Sequence, residues 1–312
     1  MVDKDEHMNG RSGKTFALHT NRARCANGAL HMNSFRVAAF VIVVMWPAFA
    51  AASGHGPVFA AATPTLGRGG WGLDQAWTIR VSDADEHQQM LKTMLSFGIT
   101  ENLQLSASLP VAMNNGDVGP ARMMSMMSSE REFEGLLGYR FQRRALGVGT
   151  RQESTVYVGG TVPLQTRRGG MLASRSIEIG AATGYASRAH YVWIGGGVQH
   201  FFERDGDRFG QSRLLTAVYG YRPPPLRTEA GKPDLRFFVE ATAEDRAPMR
   251  TRGVDVGRGA RAVFAGPTAL LLHKAIGIEG GVLFPVYQRA DSGFAKESVR
   301  VAVDLSYFFW LK

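Results

Sequence analysis

The chain has 312 residues, of which 45% are hydrophobic, 20% charged and 10% aromatic, with 37 glycines and a formal net charge of +9. This composition excludes a collagen, a disulfide-stabilised scaffold and an intrinsically disordered polymer. The single Cys25 excludes a zinc site built from several cysteines. The positive charge is too mild and too evenly scattered to favour nucleic acid as a partner.

The first predicted element in chain order is a secretory signal peptide over residues 32–52. Arg36 precedes an uncharged apolar run, Val37–Trp46, and small residues with an Ala-x-Ala ending follow that run. This order of a basic start, an apolar core and small residues is typical of a signal peptide. The run is shorter than the roughly 20 residues of a membrane-spanning helix. We expect cleavage after Ala50 or Ala52.

Residues 1–31 precede this signal and do not resemble any part of it. They are polar and mixed in charge, and Met32 stands directly before the basic start of the predicted signal. We interpret residues 1–31 as an upstream extension that arises from a misassigned start codon. Cys25 lies in this extension, so the exported chain would contain no cysteine.

From residue 69 onward the sequence breaks into segments of roughly ten residues that alternate with period two, which predicts β-strands. The last segment is the clearest: Val301, Val303 and Leu305 share one face, and Ala302 and Asp304 share the other. About twelve strands are predicted, at 69–80, 90–99, 103–111, 132–142, 153–162, 177–186, 190–201, 212–222, 234–244, 261–272, 274–286 and 298–309. In the seventh, eighth and tenth of these, the pattern does not show which face is which.

The connections between these strands alternate in length, as an up-and-down barrel requires. Tight turns are predicted at 100–102, 187–189 and 273. Longer loops are predicted at 81–89, 112–131, 163–176, 202–211, 245–260 and 287–297. Two connections on the short side, 143–152 and 223–233, are longer than this topology leads us to expect.

An even number of strands of about this length favours an outer-membrane β-barrel of a Gram-negative bacterium. A soluble sandwich or a lipocalin-like barrel also gives period two, so alternation alone leaves that alternative open. Aromatic residues cluster near strand ends, where the interfacial girdles of membrane barrels lie. These residues are Trp71, Tyr139, Phe141, Tyr185, Tyr219, Tyr221, Tyr307 and Phe309.

The end of the chain also favours an outer-membrane barrel. The last strand finishes with Tyr307–Phe309, which resembles the C-terminal signal that the barrel-assembly machinery reads, although three residues follow it here. The fold class predicted for residues 69–312 is therefore all-β: an up-and-down antiparallel transmembrane barrel. We expect it to be a monomer surrounded by outer-membrane lipid.

If the apolar faces meet lipid, the charged residues on the opposite faces point into the lumen, because a charge facing lipid is costly. The candidate lumen-lining residues are Lys92, Glu132, Glu134, Arg140, Glu178, Arg236, Glu240, Glu279, Arg300 and Asp304. They are interpreted either as ion pairs that brace a narrow barrel or as a constriction that selects solutes.

A barrel of about twelve strands lies between the filled eight-stranded and the open sixteen-stranded kinds, so we expect a narrow or plugged passage. Residues 53–68, which carry two prolines and no strong period, are predicted to be an N-terminal periplasmic or plug segment. The alternatives left open are a segment folded into the lumen and a leader that only precedes the first strand.

No enzyme pattern is found in the sequence. Gly-x-Ser-x-Gly is absent, and His190, His200 and His273 are predicted to be strand-end or turn residues. The run 257–262 fits Gly-x-Gly-x-x-Ala but has no strand–helix context, which indicates a loop. We therefore expect no enzymatic activity and no cofactor.

Metal-binding candidates are few. The methionines Met123, Met124, Met126 and Met127 lie in the longest loop, and thioethers are ligands suited to Cu(I). The alternative is an apolar loop segment. His55 is a second weak candidate.

Several motifs together resemble one family of exported bacterial proteins. They lie at 55–59, 62–65, 69–71, 97–103, 186–193, 219–224 and 284–287 and cover most of the exported chain. The family is that of the MetA-pathway phenol-degradation-like outer-membrane proteins, usually described as transporters. The resemblance implies a barrel that moves small, often hydrophobic, compounds. Family members of this subtype often look associated with metal-resistance systems, which implies a second possible function.

The function expected from all of this is passive diffusion of small solutes through a narrow outer-membrane channel. The alternative is a non-conducting structural or copper-resistance-associated outer-membrane protein.

Overall fold

The computed structural model describes residues 56–63, 65–82, 87–112, 132–168, 171–226, 233–256, 259–290 and 296–311. Within these ranges twelve long strands form one closed antiparallel barrel. The same ranges contain no helix that is long and apolar enough to cross a membrane.

The barrel strands are β1 (Gly70–Ser82), β2 (His87–Gly98), β3 (Leu103–Ala112), β4 (Glu132–Gly147), β5 (Thr150–Pro163), β8 (Ser176–Ala186), β9 (His190–Phe201), β10 (Ser212–Tyr221), β11 (Asp234–Arg246), β14 (Ala260–His273), β15 (Ile276–Ala290) and β16 (Glu297–Trp310). Four short strands form two hairpins in the loops: β6 (Arg167–Arg168) with β7 (Met171–Leu172), and β12 (Met249–Thr251) with β13 (Val254–Val256). A single 3₁₀ turn, Pro224–Leu226, is described between β10 and β11.

Each barrel strand pairs with the next barrel strand along the chain, and β16 pairs with β1 to close the ring. The closing register runs from Gly70 opposite Trp310 to Ser82 opposite Glu297. Every backbone edge is therefore paired, which hydrocarbon surroundings require. The predicted all-β, up-and-down barrel of about twelve strands is confirmed.

At one end of the barrel, called here the turn end, every connection except 222–233 has at most four residues; the other end, which carries most of the long connections, is called the loop end. The connection at 143–152, predicted to be long, is in fact a two-residue turn at Val148 and Gly149, because β4 and β5 continue past the predicted strand ends. Gly149 has φ +71°, a value that glycine adopts without strain. The turn predicted at His273 lies at Lys274 and Ala275.

The outer surface of the barrel is apolar. The predicted alternation of β16 is the observed one: Val303 is 42% exposed on the outside, whereas Ala302 is 2% exposed on the inside. Leu105, Leu109 and Val239 are also exposed on the outer face of their strands. In a soluble sandwich such residues would form the core, so the outer face of this barrel is suited to lipid.

The inner wall is divided into an apolar and a polar part. The apolar inner wall comprises side chains of β9, β10, β11 and β14, namely Tyr191, Trp193, Val218, Phe238, Leu270 and Leu272. These strands include the three whose faces the sequence did not resolve, because both of their faces carry apolar residues. Polar and charged side chains dominate the inner face of the remaining strands.

At the loop end, the two short hairpins are tied to each other. The Asp207 carboxylate accepts hydrogen bonds from the backbone N–H groups of Leu172 at 2.9 Å and Arg252 at 3.0 Å, so it contacts both hairpins. Within one hairpin, Arg250 donates to Asp255 at 2.9 Å. This hydrogen bond holds the pKa of the Asp255 carboxyl below its ordinary value.

Candidate functional site: the barrel lumen

Residues 56–63 and 65–68, called here the lumen segment, lie against the inner wall. The backbone N–H of Leu66 donates to Gln104 Oε1 at 2.8 Å, and the Thr155 hydroxyl donates to the Thr63 carbonyl at 2.7 Å. The indole N–H of Trp193 donates to Thr63 Oγ1 at 3.2 Å. Gln104, Thr155 and Trp193 belong to β3, β5 and β9, so the segment is held by widely separated strands of the wall.

The innermost contact of the lumen segment is with Glu240 of β11. This glutamate has no exposed surface. Its Oε1 accepts from the Val58 N–H and its Oε2 from the Phe59 N–H, both at 2.8 Å. The Thr268 hydroxyl also donates to Oε1, at 2.6 Å. One carboxylate therefore binds two consecutive backbone amides that would otherwise lack an acceptor.

Side-chain packing holds the same segment. Val58 and Phe59 pack in a buried cluster with Met90, Phe264 and Leu283. Ala60 packs against the apolar inner wall. The segment leaves the lumen next to Gly98, where a Cβ would lie 2.1 Å from the Gly67 carbonyl oxygen. The lumen segment thus fits the wall through both apolar contacts and main-chain hydrogen bonds.

Towards the loop end, three arginines and two glutamates form a buried ion-pair cluster. Arg300 donates to Glu244 at 2.5 Å and to Glu297 at 2.6 Å. Arg80 pairs with Glu297, and Arg246 pairs with Glu244 at 3.4 Å. The Arg300 guanidinium also lies 3.6 Å from the centroid of the Phe264 ring. The cluster joins β1, β11 and β16 across the inner wall.

Three further pairs lie on the inner face. Lys92 pairs with Glu134 at 2.9 Å, and the Ser108 hydroxyl donates to the same carboxylate at 3.1 Å. At the turn end, Arg140 pairs with Glu153 at 3.2 Å. Arg236 pairs with Asp234 at 2.7 Å and lies 4.9 Å from the Tyr191 ring centroid.

A cavity of about 220 Å³ remains between the lumen segment and the wall. Residues of the lumen segment line one side of it, including Ala60, Ala61, Ala62 and Leu66. Five carboxylates line the wall and are called here the acidic cavity wall: Asp74, Glu134, Glu178, Glu279 and Asp304. Among the described residues that line the cavity, none is Lys or Arg.

The structure places nine of the ten candidate lumen-lining residues in buried positions, and Arg236 in a half-buried one. Nine of the ten divide into three settings, and Glu132 belongs to none of them. Glu134, Glu178, Glu279 and Asp304 line the cavity, Glu240 binds the lumen segment, and Lys92, Arg140, Arg236 and Arg300 form ion pairs. Glu132 is buried in β4 and does not line the cavity.

Sequence reasoning missed Arg80, Glu153, Glu244 and Glu297 as members of the inner wall. Arg80, Glu153 and Glu244 are end residues of predicted strands and Glu297 lies one residue before another, whereas the observed strands include all four. The four loop methionines and His55 lie outside the described residues. His190 and His273 are strand-end residues, as the sequence predicts, and His200 is the penultimate residue of β9.

Comparison with known proteins supports the fold. The chain is similar to a solved outer-membrane channel from Pseudomonas putida F1, with a TM-score of 0.58 and 12% identity over 78% of this chain and 97% of that one. The NanC porin gives a TM-score of 0.47 with 10% identity, over 75% of this chain and 98% of that one. The KdgM porin gives 0.42 with 10% identity, over 76% and 99%. No protein-family model matches the sequence, and no curated protein matches it either.

At 12% identity the likeness to the Pseudomonas putida channel concerns the fold, which is that of a solved outer-membrane barrel. The resemblance to the MetA-pathway family is more specific than this and stays a prediction.

Proposed function

We propose that this chain is an outer-membrane channel through which small solutes diffuse passively, and that the lumen segment narrows its passage. The observation that carries the proposal is the cavity between the lumen segment and the acidic cavity wall, inside a closed barrel with an apolar outer surface. A barrel that served only as a scaffold would have no need of a polar cavity in its interior. The solved channel from Pseudomonas putida F1 has a similar barrel.

The apolar outer surface of the barrel supports a location in the outer membrane. Exposed side chains such as Leu105, Val239 and Val303 give the strands an apolar face, which is stable in hydrocarbon and unfavourable in water. Residues 32–52, interpreted as a signal peptide, would direct the chain out of the cytoplasm. In this arrangement the turn end faces the periplasm and the loop end faces the outside of the cell.

The inner wall supports a narrow passage. The lumen segment is bound by Glu240 on one side and packs on the apolar inner wall, so a solute has only the remaining cavity at that depth. The ion-pair cluster around Arg300 lies nearer the loop end and braces neighbouring strands. We propose that Arg300 acts as a brace and that the acidic cavity wall is the part that meets solutes.

Conductance tests the proposal. Refolded protein should give discrete current steps in planar bilayers in KCl solution. Mutation of Gly98 to Leu is a useful comparison, because it places a side chain where the Gly67 carbonyl oxygen lies and should displace the lumen segment and raise the step size. A protein that migrates as a folded barrel on unheated gels but never conducts would reject the channel and favour the non-conducting alternative.

A further inference from the structure

The acidic cavity wall brings five carboxylates to one cavity, and among the described residues no Lys or Arg lines that cavity with them. Lys92 pairs with one of the five carboxylates, Glu134. The Ser306 hydroxyl donates to Asp74 Oδ1 at 2.5 Å, which satisfies an oxygen but adds no positive charge. The inner-wall residues Arg140, Arg236, Arg246 and Arg300 form their closest ion pairs with other carboxylates, namely Glu153, Asp234, Glu244 and Glu297.

Two of the carboxylates face each other directly. Glu279 and Asp304 are paired positions of the β15–β16 ladder, and both side chains lie on the inner face. Directly opposed side chains on one face lie about 5 Å apart at Cβ, and like charges there are destabilising. A bound cation between the lumen segment and this wall would remove that penalty.

Two carboxylate oxygens of this wall have no hydrogen-bond donor among the residues that the structure describes. They are Asp304 Oδ1 and Glu178 Oε1, in residues that are 9% and 4% exposed. Buried carboxylate oxygens are normally satisfied, so an oxygen without a donor at a cavity indicates a missing partner. Glu178 lies opposite Gly159 on β5, and a Cβ at residue 159 would approach its Oε1 to 3.1 Å. The same Cβ would lie 2.4 Å from the Gly135 carbonyl oxygen, so the close approach of β4 is the first reason for glycine at this position.

The arrangement suits an organic cation better than a metal ion. Among the described residues, no three Asp, Glu, His or Cys side chains converge as metal ligands do. The carboxylates are instead spread over β1, β4, β8, β15 and β16. Apolar groups of Leu66, Leu136 and Leu214 also line the cavity. Dispersed acceptors next to apolar surface match an ammonium group carried on an aliphatic stem. The ammonium group donates up to three hydrogen bonds to the carboxylates, and the stem, which forms none, contacts the apolar surface.

We propose that the cavity binds small organic cations that carry a primary ammonium group on an aliphatic stem, and that Asp304 and Glu178 accept its hydrogen bonds. This specificity rests on the proposed channel function, since it names the solutes that the channel would favour.

Equilibrium binding tests the site without requiring conduction. The probes are n-butylammonium, n-butanol and butyrate, which have similar size and carry positive, zero and negative charge. Titration calorimetry on the refolded protein in neutral detergent should show binding of n-butylammonium only. Asp304→Asn and Glu178→Gln should each weaken it about tenfold, the size expected when one charge-assisted hydrogen bond is lost.

The control is Glu132→Gln, which removes the same charge from a buried inner-wall carboxylate that does not line the cavity. It should bind n-butylammonium as the wild-type protein does. Gel mobility of unheated samples checks that each variant is folded. Equal binding of all three probes, no binding of any, or equal loss in the control would overturn the proposed site.

Bilayer recordings distinguish a failure of the proposed binding site from a failure of the proposed channel function. Binding of n-butylammonium by a protein that does not conduct supports the site and rejects the channel. Conduction without charge-selective binding rejects the site and leaves the channel standing.

Discussion

Mutation of Glu240 to Ala should release the lumen segment from the wall. The substitution removes the acceptor of the Val58 and Phe59 amides, both of which bind at 2.8 Å. A hydrogen bond to a charged group contributes about 1.5–3 kcal/mol, so the two together contribute about 3–6 kcal/mol to docking. Every 1.4 kcal/mol corresponds to about a tenfold change in an equilibrium constant, so the equilibrium constant for docking should fall by at least about a hundredfold.

The assay is the accessibility of a cysteine placed in the segment. Val58 is buried, so a Val58→Cys thiol should react with a maleimide only when the segment leaves the wall. Adding Glu240→Ala should raise the labelling rate by at least about tenfold and enlarge the single-channel current. Glu240→Gln keeps one carbonyl acceptor, so its labelling rate should lie between those of Val58→Cys alone and Val58→Cys with Glu240→Ala.

The matched control is Thr242→Val, at the next inward position of the same strand. The Thr242 hydroxyl is buried and has no hydrogen-bond partner among the described residues, so its loss should leave labelling and current unchanged. If Glu240→Ala labels as slowly as the control while remaining folded, the carboxylate does not hold the segment and the reasoning is refuted.

Three other changes test the wall, the brace and the export signal. Val303→Arg puts a charge on the outer face and should reduce the free energy of folding into lipid by about 2–4 kcal/mol. The Ser108→Arg side chain faces the acidic cavity wall, so this variant should refold in higher yield. Equal yields of the two variants would contradict the assigned faces. Arg300→Met leaves two buried glutamates without their main partner and should lower the free energy of unfolding in urea by about 3–5 kcal/mol. Ion selectivity should stay unchanged. A shifted reversal potential in the folded variant would show that Arg300 shapes the passage. N-terminal sequencing of the exported protein should begin at Ala51 or Ser53; recovery of the upstream extension would exclude the proposed signal.

The number and order of the strands could be predicted because one face of most strands is apolar and the other polar. In β16, Val303 and Asp304 alternate in the sequence as they do in the barrel. The same pattern failed in β14, where Leu270 faces inward and Leu271 faces outward. Both faces are apolar there because the lumen segment packs on the inner one, and a local pattern does not contain that contact.

The partners within the lumen could not be predicted from the sequence. Arg80 and Glu297 are 217 residues apart, and they meet only because β1 and β16 close the ring in one register. Val58 and Glu240 are 182 residues apart and belong to no common ladder. Alternation identifies the face on which a charge lies, but its partner depends on closure, register and the path of the lumen segment.

Most of the hydrogen bonds between the wall and the lumen segment involve the main chain of the segment. Glu240, Gln104 and Thr155 contact the amides of Val58, Phe59 and Leu66 and the carbonyl of Thr63, groups that other residue types share. Side chains of the lumen segment that neither pack on the wall nor take part in these hydrogen bonds can therefore be substituted without loss of the contacts that hold the segment. Substituting Ala61 or Ala62, which line the cavity and accept none of these bonds, should alter the width and polarity of the passage while the twelve strands stay as they are.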